Sequence, residues 1–315
     1  MLEAIKNKLF SKPEEKSTGN GLYASMEELM EMRKLVNRVR REPKNKNASS
    51  DAGDVRSAFK GRGIELEEIR LYSMGDDVRD INWRVTARKD EPYTNVYNEE
   101  KDHEIYVFLD LSQSMVFGTR KELKSVAASK LTALLAWMSL NNGDRFGLVL
   151  YDGKDSYIFK AKKHQSHILA ILKKISEVSR NVLKTEDYAD EADLVKPLGL
   201  VRKSIKSHAQ VFVLSDFSRL NDEVQKQIGV LSKSSRVYCM NIFDVLEEIA
   251  PLAGEYSVEN KAEKLVFDSS AKAFRSEYQN YFAEKKMRLK DFCKRFRVHY
   301  VEIRTDLDLF NYLKL

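Results

Sequence analysis

Asp110, Ser112 and Ser114 alternate with other residues in the run Asp110-Leu111-Ser112-Gln113-Ser114, and offer a carboxylate and two hydroxyls within five positions. An all-oxygen set of this kind suits a hard divalent cation such as Mg2+, which prefers oxygen ligands and keeps part of its water. The run follows Ile105-Tyr106-Val107-Phe108-Leu109, a stretch so uniformly apolar that it reads as a strand buried on both faces of a parallel sheet. Polar residues after such a strand emerge at its carboxyl end, where open α/β sheets bind their ligands. A second apolar run, Val211-Phe212-Val213-Leu214, ends in the same way at Ser215-Asp216-Phe217. Both aspartates are therefore expected on one rim of one sheet. Asp and Ser are also ordinary capping and turn residues, so spacing alone leaves a structural role and a metal role both open.

The elements that must position these groups alternate between strand and helix beyond Glu104, which implies parallel pairing through helical crossovers. The strand Ile105–Leu109 leads to a helix over Lys121–Leu140, and Phe146–Tyr151 turns at Asp152-Gly153 into a second strand at Tyr157–Phe159. Helices are expected at His167–Val178, Leu194–Ile205 and Glu223–Leu231, followed by a strand at Val237–Ile242. A long helix over Ala271–Phe296, a strand at Val298–Ile303 and a closing helix from Asp306 complete the pattern. The fold class is α/β: a doubly wound, mostly parallel sheet flanked by helices. Ahead of it, Ser25 and Glu28 form a capping box for a helix carrying Met26, Leu29, Met30, Leu35, Val36 and Val39 at helical spacing. The polar stretches Ser11–Asn20 and Pro43–Asp54 read as linkers, and strand-like patterning appears at Ile64–Leu71 and Tyr93–Tyr97. Three parts result: an N-terminal helix with linkers over 1–50, a β/turn segment over 51–100, and the α/β domain over 101–315.

Composition narrows the function. The net charge of +6 comes from 54 basic and 48 acidic residues, a mixture unlike the one-sided surface a nucleic-acid binder needs. The positives Arg33, Lys34, Arg38, Arg40, Arg41, Lys44 and Lys46 are the alternative on that side, but basic residues at a helix's end also complement its dipole. Cys239 and Cys293 form no zinc or disulfide framework, and read as buried thiols of a cytoplasmic protein. Every apolar stretch is too short to span a bilayer, so no transmembrane segment is expected.

The common enzyme motifs are absent or incomplete. A phosphoryl-accepting aspartate of the haloacid dehalogenase kind would want a second aspartate where Ser112 stands. The G-x-x-x-x-G-K-[ST] phosphate loop, the G-x-S-x-G elbow and the H-E-x-x-H zinc helix are all missing. His103, His208 and His299 fall at strand starts, away from the Asp110 rim, and His164 and His167 at a helix start. A metal-assisted hydrolase using the strand-end carboxylates therefore has no histidine base to call on.

The segment before the α/β domain carries the most distinctive words: Gly61-Arg62-Gly63, Glu65, Arg70 and Tyr72, Gly75-Asp76-Asp77, Arg79, Ile81, Trp83 and Ala87-Arg88. Paired glycines and Gly-Asp-Asp are turn chemistry, and the alternating charges around Tyr72 and Trp83 form either a self-satisfied clasp or a docking surface. Together with Asp110-Leu111-Ser112, Ser114-Met115, Asn142-Gly143-Asp144-Arg145 and Ser215-Asp216-Phe217, these words resemble the domain of unknown function 58 family, proteins with a von Willebrand factor A-like domain.

That resemblance implies a cytoplasmic, non-enzymatic interaction module working with a MoxR-type AAA+ ATPase, or its client, in maturation or assembly of protein complexes. It also implies a metal-ion-dependent adhesion site holding Mg2+, with Ser112 and Ser114 as direct ligands and Asp110 and Asp216 acting through water. A partner's carboxylate would complete the octahedron. Two positions depart from the pattern. Ala192 stands where the family's metal-binding threonine belongs, leaving Asp193 or Asp190 as substitutes, and Asn82 stands at a position that is commonly acidic.

Overall fold

In the computed structural model, which describes residues 21–41, 66–89, 91–97, 103–184, 193–206, 208–259 and 264–308, the helix expected after Ser25 is α1, Met26–Arg41. Its start is a capping box: Glu28 N donates to Ser25 Oγ at 3.2 Å, and Ser25 N to Glu28 Oε2 at 3.0 Å. Two amides that the helix start leaves without partners are thereby satisfied. Strands β1 (Leu66–Leu71) and β2 (Tyr93–Tyr97) pair antiparallel, separated by a 3-10 turn at Val78–Asp80 and the short helix α2 (Trp83–Lys89).

The main sheet contains β3 (Glu104–Asp110), β4 (Arg145–Tyr151), β5 (Ser156–Lys162), β6 (Gln210–Ser215), β7 (Arg236–Phe243) and β10 (His299–Arg304). Its helices are α3 (Lys124–Asn142), α4 (Gln165–Val182), α5 (Val195–Ser204), α6 (Asp222–Leu231), α7 (Val245–Glu248) and α8 (Lys272–Arg295), and the hairpin β8 (Glu255–Glu259) and β9 (Lys264–Asp268) precedes α8. The strand order is β5-β4-β3-β6-β7-β10, parallel throughout except where β4 meets β5. From β3 the chain runs outward to β5, then returns to β3's other side and runs outward again from β6. The reversal creates a topological switch point between β3 and β6, the crevice where open α/β sheets place ligands.

Alternation along each strand divides two cores between the faces. Ile105, Val107, Leu109, Phe212 and Leu214 point to the side covered by α1, α3 and α4. Tyr106, Phe108, Val211 and Val213 point to the side covered by α5, α6 and α8. Helix α3 is buried along nearly its whole length because it lies between the sheet and α1. There the indole Nε1 of Trp137 donates to Leu29 O at 3.1 Å, and Lys130 pairs with Glu28 at 2.8 Å and with Glu122 at 2.5 Å. The N-terminal helix is thus an outer layer of the main core, held by its own contacts. Gly147 on β4 sits against the Tyr106 ring, where a Cβ would collide, and Gly143 ends α3 in the left-handed conformation at φ 81°.

Several expectations are corrected in detail. The first sheet helix begins at Lys124 rather than Lys121, because the chain from Val116 to Leu123 crosses the rim first. Helix α7 and the β8–β9 hairpin occupy a stretch where Pro251 and Gly254 interrupt any periodicity, so no element was expected. Thr305 and Asp306 form a turn, not a helix start, and 309–315 lie outside the described residues, as do the linkers 11–20 and 43–54.

Candidate functional site

Asp110 ends β3, and Asp216 follows the last residue of β6, its neighbour across the switch point. The Asp110 carboxylate accepts from Ser112 N at 2.9 Å and from Ser215 Oγ at 2.7 Å. Ser114 Oγ donates to Asp216 Oδ1 at 3.3 Å, and Ser218 N to the same oxygen at 3.0 Å. The latter bond depends on Phe217, whose φ of 48° turns the chain back toward the carboxylate. Asp110, Ser112, Ser114 and Asp216 therefore do meet in one polar cluster at the rim. Ser112 also begins the 3-10 turn Gln113–Met115, but its hydroxyl makes no capping bond there.

A fifth group at the rim is one that spacing did not reveal. Lys124, the first residue of α3, places its ammonium 2.8 Å from Asp216 Oδ2 and 3.0 Å from Glu247 Oε1; the Lys124 and Asp216 side chains are each only 3% exposed. A cation at a helix N-terminus opposes the helix dipole, and its burial needs paired carboxylates. Desolvation pulls the ammonium's pKa down, but Asp216 and Glu247 outweigh it and hold it above the ordinary lysine value. Burial likewise pushes Asp216 upward, and Lys124 overcomes it, holding that carboxyl below the usual range. Among the described residues no cation lies beside Asp110: burial, reinforced by the Asp216 charge, raises its pKa against the hydrogen bonds from Ser112 and Ser215.

The network continues along the rim. Glu247 Oε2 accepts from Asp244 N at 2.8 Å, completing the capping box of α7. Asp244, directly after β7, is fully buried. Its carboxylate accepts from Thr119 N at 3.0 Å, Thr119 Oγ1 at 2.5 Å, Leu246 N at 2.9 Å and Thr305 Oγ1 at 2.8 Å. It fastens the 111–123 loop to the ends of β7 and β10, which keeps Ser112, Ser114 and Lys124 in place. Its sequence signal was the same as that of Asp216, an aspartate after an apolar strand; Lys124 gave none, because it reads as one more helical lysine.

Asp193 stands just before α5, exposed, with its carboxylate accepting from Val195 N at 2.9 Å. Its charge acts on the phenol of Tyr151, which burial raises first and then Asp110 and Asp193. Asp190 and Ala192 lie outside the described residues. Among the described residues no group of three or more His, Cys, Asp or Glu side chains is arranged to hold a metal. Asp216 is already committed to an ammonium, and both Asp110 oxygens take hydrogen bonds. This donor set does not fit a divalent ion, whose charge would face the buried Lys124.

All the histidines fall at the other edge of the sheet or at a helix start next to it. His103 precedes β3, His208 precedes β6, and His299 opens β10. His164 caps α4, and His167 Nε2 lies 3.1 Å from Phe146 O near the beginning of β4. Of the basic residues near α1, Arg33 stacks over the Trp137 ring and Lys34 pairs with Glu31. In the β1–β2 segment, Arg70 pairs with Asp76 at 2.7 Å, and Asn82 caps α2 through Val85 N while donating to Asn95. Trp83 is not covered by that network and stands 68% exposed. Beside the rim, a cavity of about 650 Å³ opens between the start of α6 and α8, with Asp216 and Asn241 at its inner end and Tyr281, Lys285, Arg288 and Arg295 along α8.

Fold and site together define an α/β protein with an internally paired polar cluster at the switch point of a mostly parallel sheet. The chain belongs to the family described as protein of unknown function DUF58, which matches residues 68–288. Uncharacterised proteins of Mycobacterium tuberculosis and Mycobacterium bovis are each 27% identical over 165 residues, 52% of this chain and 50% of theirs. The match thus spans about half the length of these relatives. A crystal structure of the conserved hypothetical protein BatB from Bacteroides thetaiotaomicron is similar over 67% of this chain and 95% of its own, at 13% identity and a TM-score of 0.43.

Proposed function

We propose that this protein is a non-enzymatic interaction module of the von Willebrand factor A-like class. It engages a MoxR-type AAA+ ATPase, or that ATPase's client, during maturation or assembly of protein complexes in the cytoplasm. The observation that carries the reading is the cavity beside Asp216: it opens past the end of β6, next to the switch point, and its α8 wall offers Tyr281, 73% exposed, with Lys285 and Arg288. An exposed aromatic flanked by arginine is the composition that protein interfaces favour. The choice of partner rests on what resemblance to the DUF58 family implies, and the chain's membership of that family supports it.

The rim itself serves as the rigid base of this surface. Its carboxylates and hydroxyls bond one another and Lys124, and the histidines that a hydrolase would use as bases lie on the opposite edge. The reading is tested by co-purifying the full chain with a MoxR-type ATPase from the same organism. Binding should be weakened at least about tenfold, or 1.4 kcal/mol, by Arg288→Glu and by Tyr281→Ala. Undiminished binding by both variants would remove the α8 cavity from the interface, and a lack of any complex would remove the partner.

A further inference from the structure

We propose that the Lys124 ammonium is the resident cation of the strand-end pocket, a built-in counter-ion in place of the divalent ion that the Asp110, Ser112, Ser114 spacing advertises. The ammonium lies 2.8 Å from Asp216 and 3.0 Å from Glu247. It is almost wholly buried with Asp216, so no mobile ion can exchange for it without rebuilding the start of α3. It also accounts for the remaining groups. Ser114 spends its hydroxyl proton on Asp216, and Ser215 and the Ser112 amide hold Asp110. Asp193, the one substitute for the missing threonine within the described residues, faces solvent and caps its own helix. A fixed covalent cation neutralises the charge that β6 delivers and does so at any metal concentration. The module's switch point is consequently set by its own sequence rather than by metal supply. This holds independently of the partner proposed above, because the pocket can be probed without it.

The test is Mn2+ binding to the full chain, followed by the loss of the free ion's paramagnetic resonance signal, together with melting in EDTA and in Mg2+. Wild type should take up no Mn2+ at this pocket and should melt at the same temperature in both solutions. Lys124→Ser, which removes the ammonium and adds an oxygen, should gain at least about tenfold in Mn2+ affinity, or 1.4 kcal/mol, and Asp110→Asn in that background should abolish the gain. Wild-type uptake that disappears in Ser112→Ala would overturn the proposal, as would a folded Lys124→Ser chain with no gain. Should Lys124→Ser fail to fold, the wild-type result decides alone.

Discussion

Buried charge at the rim makes individual side chains there unusually costly to change. Lys124→Met strands the Asp216 carboxylate without its counter-ion, and such a break costs about 3–5 kcal/mol. Adding Asp216→Leu to that variant should return most of the loss, because it removes the deeply buried unpaired carboxylate and leaves only the more exposed Glu247 without its ammonium. Urea unfolding of the single and double variants measures the coupling, and a single variant as stable as wild type would show that the pair does not hold the rim. Asp244 gives a pH prediction. Burial raises its carboxyl, but Thr119, the Leu246 amide and Thr305 outweigh burial and hold it below the usual range. A depressed folded pKa means that its stabilisation is complete above the unfolded value of about 3.9 and is lost as pH falls through the folded value. Asp244→Asn should cost about 1–3 kcal/mol at neutral pH, and the gap to wild type should narrow below about pH 4. A gap independent of pH would contradict this assignment.

Among the elements, α3 carries the site at its first residue and the packing of α1 along its length, so the two are mechanically joined. Leu29 on α1 is fully buried, and its carbonyl receives the Trp137 indole. Leu29→Ala should cost about 2–5 kcal/mol by lost burial and cavity formation, read from the denaturation midpoint at unchanged slope. An effect below about 0.5 kcal/mol would mean that α1 is an appendage after all. The β4 glycine contributes in the opposite sense. A side chain at Gly147 would enter the Tyr106 ring, so Gly147→Val should destabilise by overpacking, about 1–3 kcal/mol. A chain carrying it with an unchanged melting temperature would place the ring elsewhere.

For the molecule as a whole, the strand order brings together residues more than a hundred positions apart: Ser114 and Asp216, Thr119 and Asp244, Lys124 and Glu247. The two antiparallel hairpins, β1–β2 and β8–β9, lie outside this six-stranded sheet. The β1–β2 segment and its connection leave Leu71, Met74, Val78 and Trp83 exposed, which favours the docking reading of its charged motif over the clasp. If it docks a partner, Trp83→Ala should weaken partner binding without shifting the melting temperature. Equal loss of both would return the residue to a structural role.

The sequence by itself determined the α/β class, most strand and helix centres, the α1 capping box and the meeting of Asp110, Ser112, Ser114 and Asp216. Apolar runs and capping chemistry are local properties, and a buried parallel strand fixes where its last polar residue emerges. Tertiary structure alone decided what that meeting amounts to. Lys124 lies six residues before Lys130 on the same helix, and nothing in its neighbourhood of the chain marks it as different from Lys130. Its role depends on where α3 begins relative to β6 and α7, a distance set by packing. The same holds for Asp244, whose four donors come from three separate stretches of chain. Charge pairing is a property of positions in space, and spacing along the chain recorded only half of it.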